Sequence, residues 1–193
     1  LGGSVALWLD SYRFMEFYET DPYRPLFHFT PTKGWMNDPN GLVHDGERWH
    51  LFYQSYDPVV VDGLAWGHAV SSDLVRWEHL PAAILPDAHG QIWSGSAVRT
   101  PEGLACLFTY FDKHDGGRQK QGLALSRDGV AFQTLGPVIP KLREQPGMPD
   151  EADFRDPKVF WHEPTQRWVM VVAGGKLRFY TSSDLREWEF ASI

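Results

Sequence analysis

Three segments of this 193-residue chain repeat one pattern at nearly equal intervals, and that spacing narrows the fold more than any other feature. SSDLVRW ends at Trp77, SRDGVAF at Phe132 and SSDLREW at Trp188. Their aspartates, Asp73, Asp128 and Asp184, lie 55 and 56 residues apart, and the closing aromatic residues keep the same two intervals. A short apolar run precedes each segment: GERWHLFYQ, GLACLFTYF and QRWVMVVAGG. These runs are rich in β-branched and aromatic residues and bounded by Gly, Pro or Asp, the signs of short strands. After residue 25 no segment carries a sustained helical period with a cap. The aspartate of each repeat suits a turn between the last two strands of a unit, because its carboxylate can bond nearby backbone amides. A repeating unit of about 40–50 residues with four strands marks a β-propeller blade. A β-sandwich also yields many short strands, but gives no reason for equal spacing. The expected fold is all-β, a propeller. The polar segment KLREQPGMPDEADF (141–154), with two prolines, reads as a loop between the second and third blades.

Charge and composition exclude some functions. The formal net charge is −7 and no Lys/Arg run occurs, which argues against nucleic acid as a partner, since that binding rests on basic clusters that neutralise phosphates. An uncharged substrate suits this balance better. Nine Trp, seven Tyr and twelve Phe are a heavy aromatic load. Composition by itself favours core packing for them; the alternative is that some rings line a sugar pocket. The single cysteine, Cys106, lies in an apolar run and is expected to behave as a small buried hydrophobe. No apolar stretch approaches the ~20 residues of a membrane span. The first residues do not read as a signal peptide, since a basic segment followed by a continuous apolar one is missing. Residues 1–22 are expected to be an extension, with a possible short helix over 1–20, ahead of a domain over 23–193. Cytoplasmic and secreted locations both stay open, as does the oligomeric state.

The chemistry concentrates in a few motifs. The chain has only two asparagines, Asn37 and Asn40, and both stand beside Asp38 in WMNDPNG. That clustering suggests a shaped polar site, although the same residues are strong turn formers. A second Asp-Pro occurs in FRDPKVF, at Asp156. Asp38 and Asp156 are 118 residues apart, yet each is expected just before the first strand of a blade. First strands line a propeller's central channel, so the two carboxylates are expected to converge at one end of its axis. Two convergent carboxylates are what glycoside hydrolysis needs. Arg155 is expected to hold Asp156 ionised by charge pairing; a plain surface ion pair is the alternative. Between them, QIWSGSAV (91–98) offers two hydroxyls around a glycine, with room for a ligand. In HLFYQ, Gln54 shares a strand face with His50 and Phe52 and is either a sugar-orienting or a structural amide. No metal-binding spacing, phosphate loop or nucleophile elbow is present, and no cofactor is expected.

Taken together, YRPLFHFTP, WMNDPNG, FYQ, WGHAVSSDLVRW, WSGSAV and FRDPKVF resemble, in content and order, glycoside hydrolase family 32, from about Tyr23 onward. The resemblance implies a five-bladed β-propeller, of which this chain covers roughly the first three blades. It implies a retaining enzyme that releases terminal β-fructofuranosyl units from sucrose or fructans. Asp38 matches the nucleophile and Asp156 the transition-state stabiliser. Trp35, Asn37, Gln54, Trp66, Trp93, Ser94 and Arg155 match positions that shape the fructose pocket. Two departures stand out. The family's acid/base, a Glu in a Glu-Cys motif some way beyond the segment matched here by YTSSDLREW, is not found before Ile193. These 193 residues alone are therefore expected to be inactive. The loop before WGHA also lacks the Trp that many members carry there. Alternative functions are a fructosyltransferase, a sugar-binding propeller without catalysis, and an inverting glycosidase acting on arabinose polymers.

Overall fold

The computed structural model describes residues 22–25, 27–59 and 61–193; the possible helix over 1–20 lies outside the described residues. Twelve strands form three separate four-stranded antiparallel sheets, each a meander of consecutive strands. Blade one consists of β1 (Trp35–His44), β2 (Trp49–Tyr56), β3 (Ala65–Ser71) and β4 (Glu78–Ile84). Blade two consists of β5 (Gln91–Thr100), β6 (Gly103–Asp112), β7 (Arg118–Ser126) and β8 (Gln133–Ile139). Blade three consists of β9 (Arg155–His162), β10 (Arg167–Ala173), β11 (Arg178–Ser182) and β12 (Glu189–Ser192). The first strands lie side by side, β1 next to β5 and β5 next to β9. This is the arrangement of a propeller, seen over three blades. The segment 141–154 links the last two and makes one turn of 3-10 helix at Leu142–Glu144.

The repeat motif forms the turn between the third and fourth strands of each blade. The Asp73 carboxylate accepts from the amides of Val75 and Arg76, Asp128 from those of Val130 and Ala131, and Asp184 from those of Arg186 and Glu187. A serine two residues upstream donates its hydroxyl to each aspartate. The following residue, Leu74, Gly129 or Leu185, takes a left-handed backbone with φ of 63, 69 and 67°. Glycine adopts that conformation freely, whereas leucine strains by about 1–2 kcal/mol. The amide bonds to the carboxylate offset that strain, and they hold Asp73 at about 2, well under the usual carboxylate value. Asp128 and Asp184 are lowered by the same kind of contact, from the amides of Val130 and Glu187 first.

The core fills the two seams between blades. Phe52, Trp66, Ile84, Ile92, Cys106, Phe108 and Tyr110 pack between blades one and two. Ala105, Leu107, Leu123, Phe154, Val159, Met170 and Tyr180 pack between blades two and three. Alternate side chains of β6 thus serve opposite seams, Cys106, Phe108 and Tyr110 on one face, Ala105 and Leu107 on the other. A sheet covered on both faces needs apolar residues at every position, which accounts for the unbroken run LACLF. Cys106 is fully buried, and burial pushes its thiol well up, as expected of a packing residue.

Candidate active site

The three innermost strands share an irregularity at the same level. Between β1 and β2 the register steps from Met36–Ser55 to Pro39–Tyr53, three residues against two. Between β5 and β6 it steps from Trp93–Thr109 to Gly95–Phe108, two against one. Between β9 and β10, Arg155 faces Ala173 while Lys158 faces Val171, again three against two. Each step is a β-bulge, which inserts one residue and re-aims its side chain. The bulges contain Asp38, Ser94 and Asp156. Pro39 and Pro157 follow the two aspartates; proline has no N–H for the ladder and is tolerated at bulges. Both aspartates therefore sit inside the first strand of their blade, rather than ahead of it as the sequence suggested.

Asp38 and Ser94 meet across the first seam. Ser94 Oγ donates to Asp38 Oδ2 at 2.7 Å, and Gln54 Nε2 donates to Ser94 Oγ at 3.0 Å. Gln54 and Ser94 are buried while Asp38 is exposed. A buried amide thus fixes a buried hydroxyl, which orients one carboxylate oxygen. Among the described residues none bonds the other oxygen, Oδ1. Asn40, two positions on, is buried and accepts the Gly95 amide at 3.2 Å, tying β5 to β1. Trp35 and Asn37, on either side of Met36, are exposed, so both are free to meet a ligand beside Asp38.

Asp156 is held differently. Its backbone is left-handed, with φ 59°, and its amide donates to Thr109 Oγ1 of blade two at 3.0 Å. Its carboxylate is half-exposed, with Arg155 Nε 3.7 Å away. Arg155 bonds Asp153 more closely, at 2.5 Å. Burial raises the Asp156 carboxyl above its ordinary value; Arg155 opposes this, and the negative charges of Asp38 and Asp153 add to the rise. Arg155 thus favours the ionised form of Asp156, as expected of it, but desolvation outweighs one guanidinium that is itself shared with Asp153.

Two other expectations change. Trp66 is fully buried, packed on Phe52 and Phe108, and its indole N–H donates to the Trp93 carbonyl at 3.0 Å. It supports β5 from within the core and does not reach a surface where a sugar could meet it. The space at Gly95 is taken by the protein itself: a Cβ there would lie 2.0 Å from the Leu107 carbonyl oxygen. Trp93 remains partly exposed and stacks on Phe111, with ring centres 4.1 Å apart and planes within 3°. A cavity of about 520 Å³ lined by Asp45, Arg99, Glu102 and Arg127 lies at the opposite ends of β1 and β5, away from the carboxylates. Among the described residues, no group of three or more His, Cys, Asp or Glu side chains could hold a metal ion.

The N-terminal domain of glycosyl hydrolases family 32 matches residues 28–193. The chain belongs to that family. It is 45% identical to the levanase of Bacillus subtilis (strain 168) over 189 residues, covering 91% of this chain and 27% of the levanase. It is 36% identical to the extracellular exo-inulinase of Aspergillus awamori over 211 residues, covering 89% of this chain and 38% of that enzyme. Among solved structures it resembles the Bombyx mori β-fructofuranosidase, with a TM-score of 0.77 and 36% identity, covering all of this chain and 42% of that one. A variant of the Bombyx mori enzyme has been solved in complex with sucrose. The chain thus spans well under half the length of these relatives.

Within this family 32 chain, sequence reasoning missed three side chains of blade two that hold the start of β9, Thr109, Gln119 and Gln121, and read the hydroxyl of Ser96, which also holds β9, as a ligand donor. Ser96 Oγ donates to the Pro157 carbonyl at 2.8 Å and accepts the Val159 amide at 3.0 Å. The available signal for the two glutamines was QKQ: amides two positions apart on a strand share a face.

Proposed function

We propose that the chain carries the nucleophile and the transition-state stabiliser of a retaining β-fructofuranosidase acting on sucrose or fructans. Asp38 attacks the anomeric carbon of a terminal fructosyl unit through its unbonded oxygen and forms a covalent ester. Water then releases fructose with retention. Ser94, supported by Gln54, keeps the carboxylate aimed during the attack. Asp156 accepts bonds from fructose hydroxyls, and these strengthen as positive charge develops on the ring. The proton for the leaving oxygen is proposed to come from outside these residues, since the matched stretch is 27% of the levanase and 42% of the Bombyx mori enzyme.

One observation supports this reading above the others: bulges on β1 and β9, the two inner strands that flank β5, hold Asp38 and Asp156, and the charge of Asp38 adds to the rise of the Asp156 carboxyl. The test is trapping of the intermediate. A full-length enzyme carrying this chain, quenched in acid during turnover of sucrose, should yield a peptide containing Asp38 heavier by one fructosyl unit. A fructosyl group on another residue, or an inverted anomer as the first product seen by NMR, would refute it.

A further inference from the structure

The seam between blades two and three changes character along its length. On the face of β6 toward blade three, Ala105 and Leu107 are apolar, and the next residue in phase is Thr109. On the paired strand β7, Leu123 is apolar, and Gln121 and Gln119 follow in phase. Thr109 faces Gln121 in the ladder, and both are fully buried; Gln119 is nearly so. Three polar side chains in a packed seam are costly unless bonded. All three are bonded, and each reaches the backbone around Asp156.

The connections leave one assignment of donors and acceptors. The Asp156 amide donates to Thr109 Oγ1 at 3.0 Å, so the hydroxyl hydrogen is free to donate to Gln121 Oε1 at 3.2 Å. Gln121 Nε2 then donates to the Phe154 carbonyl at 2.6 Å. The Phe154 amide donates to Gln119 Oε1 at 2.8 Å. Both ends of the segment Phe154–Asp156 are therefore pinned, Asp156 through Thr109 and Phe154 through Gln121 and Gln119. The need is clear from the backbone. Asp156 is left-handed, and proline follows it, which restricts the preceding residue further. A residue in such a conformation stays there only if its surroundings over-determine it. The Asp156 carboxylate itself receives no hydrogen bond from the described residues, so its direction is set through its main chain.

We propose that Thr109 and Gln121 are positioning residues for Asp156: they hold its strained main chain so that the carboxylate meets the substrate at the height where charge develops. This rests on the reading of Asp156 as the transition-state stabiliser. Misplacement of such a group by about 1 Å can lower the rate by about 100-fold without contact to the substrate.

The test uses a full-length enzyme carrying this chain, with sucrose as substrate. Thr109→Val keeps the shape and removes the acceptor of the Asp156 amide. It should lower kcat about 10- to 100-fold, with KM changed by less than about threefold; Thr109→Ser should restore most of the loss. Gln121→Met should act in the same direction. Combined with Asp156→Asn, Thr109→Val should lower kcat no further, since there is then no carboxylate to aim. Thermal unfolding is measured for each variant, and the comparison with Thr109→Ser is made at a temperature where all are folded. Equal kcat in Thr109→Val and wild type, or full multiplication of the two losses in the double variant, would overturn the proposal while leaving the role of Asp156 intact. A wild-type rate in Asp156→Asn alone would remove that role and the proposal with it.

Discussion

The two seams of the molecule solve the same problem in opposite ways. At each, an aspartate in a bulge on an inner strand is fixed by the neighbouring blade. Across the first seam, blade two grips Asp38 by its carboxylate through Ser94, which Gln54 of blade one supports in turn. Across the second, blade two grips Asp156 by its peptide, through Thr109 and behind it Gln121. The difference fits the proposed roles. A nucleophile needs one oxygen held and the other free to attack. A group that bonds two or more sugar hydroxyls needs both oxygens free, so its aim has to come from the main chain.

The comparison breaks first at the aspartates. In a full-length enzyme, Asp38→Asn should lower kcat on the order of 10⁴-fold or more, because no second nucleophile replaces it. Asp156→Asn should lower kcat about 100- to 1,000-fold with KM nearly unchanged. A raised KM alone in the latter, measured with sucrose under steady-state conditions, would make Asp156 a plain binding group. Ser94→Ala removes only the bond to Asp38 Oδ2 and should lower kcat by about tenfold, since that corresponds to about 1.4 kcal/mol. Loss of binding instead of rate would mean that Ser94 touches sugar rather than aiming Asp38. Ser96→Ala leaves the Val159 amide unsatisfied in the second seam and should destabilise the protein by about 1–3 kcal/mol, read by urea unfolding.

Acid should weaken the fold in two separate windows. His68 lies fully buried in blade one against His50, and burial first, then the nearby charges of His50 and Arg48, hold its pKa at about 3. The folded state keeps this imidazole neutral, while the unfolded chain takes up a proton near 6.5. Stability should therefore fall as the pH drops from about 6.5 toward 3. The turn aspartates act lower. Asp73, at about 2 when folded, contributes stability above the ordinary value of 3.8 and loses it as the pH falls through 2. His68→Phe should flatten the upper window and leave the lower one; an unchanged profile between pH 6.5 and 4 would show that His68 takes no part.

Much of this architecture was legible in the residues. The interval between Asp73, Asp128 and Asp184 reported three equal units, because the same carboxylate-capped turn closes each blade. The two Asp-Pro pairs reported the inner strands, because proline fits where a ladder is interrupted. What stayed hidden depends on partners distant in sequence. A bulge is a count of residues on one strand against another, so nothing near Asp38 or Asp156 reveals it. Trp66 matched a position that shapes the fructose pocket, but a residue in a covered sheet meets the next blade instead of solvent. Arg155 looked like the partner of Asp156, yet Asp153 competes for it and burial outweighs it. The polar switch on the second seam is visible only once Thr109 and Gln121 are known to face each other.

The shared position of the two carboxylates is tested most directly by titrating Asp156 with and without its neighbour. Carboxyl carbon NMR on labelled protein would follow Asp156 in wild type and in Asp38→Asn. If both groups face one substrate, removing the negative charge at Asp38 lowers the midpoint of Asp156. A midpoint that does not move would mean that the two aspartates lie in separate environments, and the catalytic reading would fall.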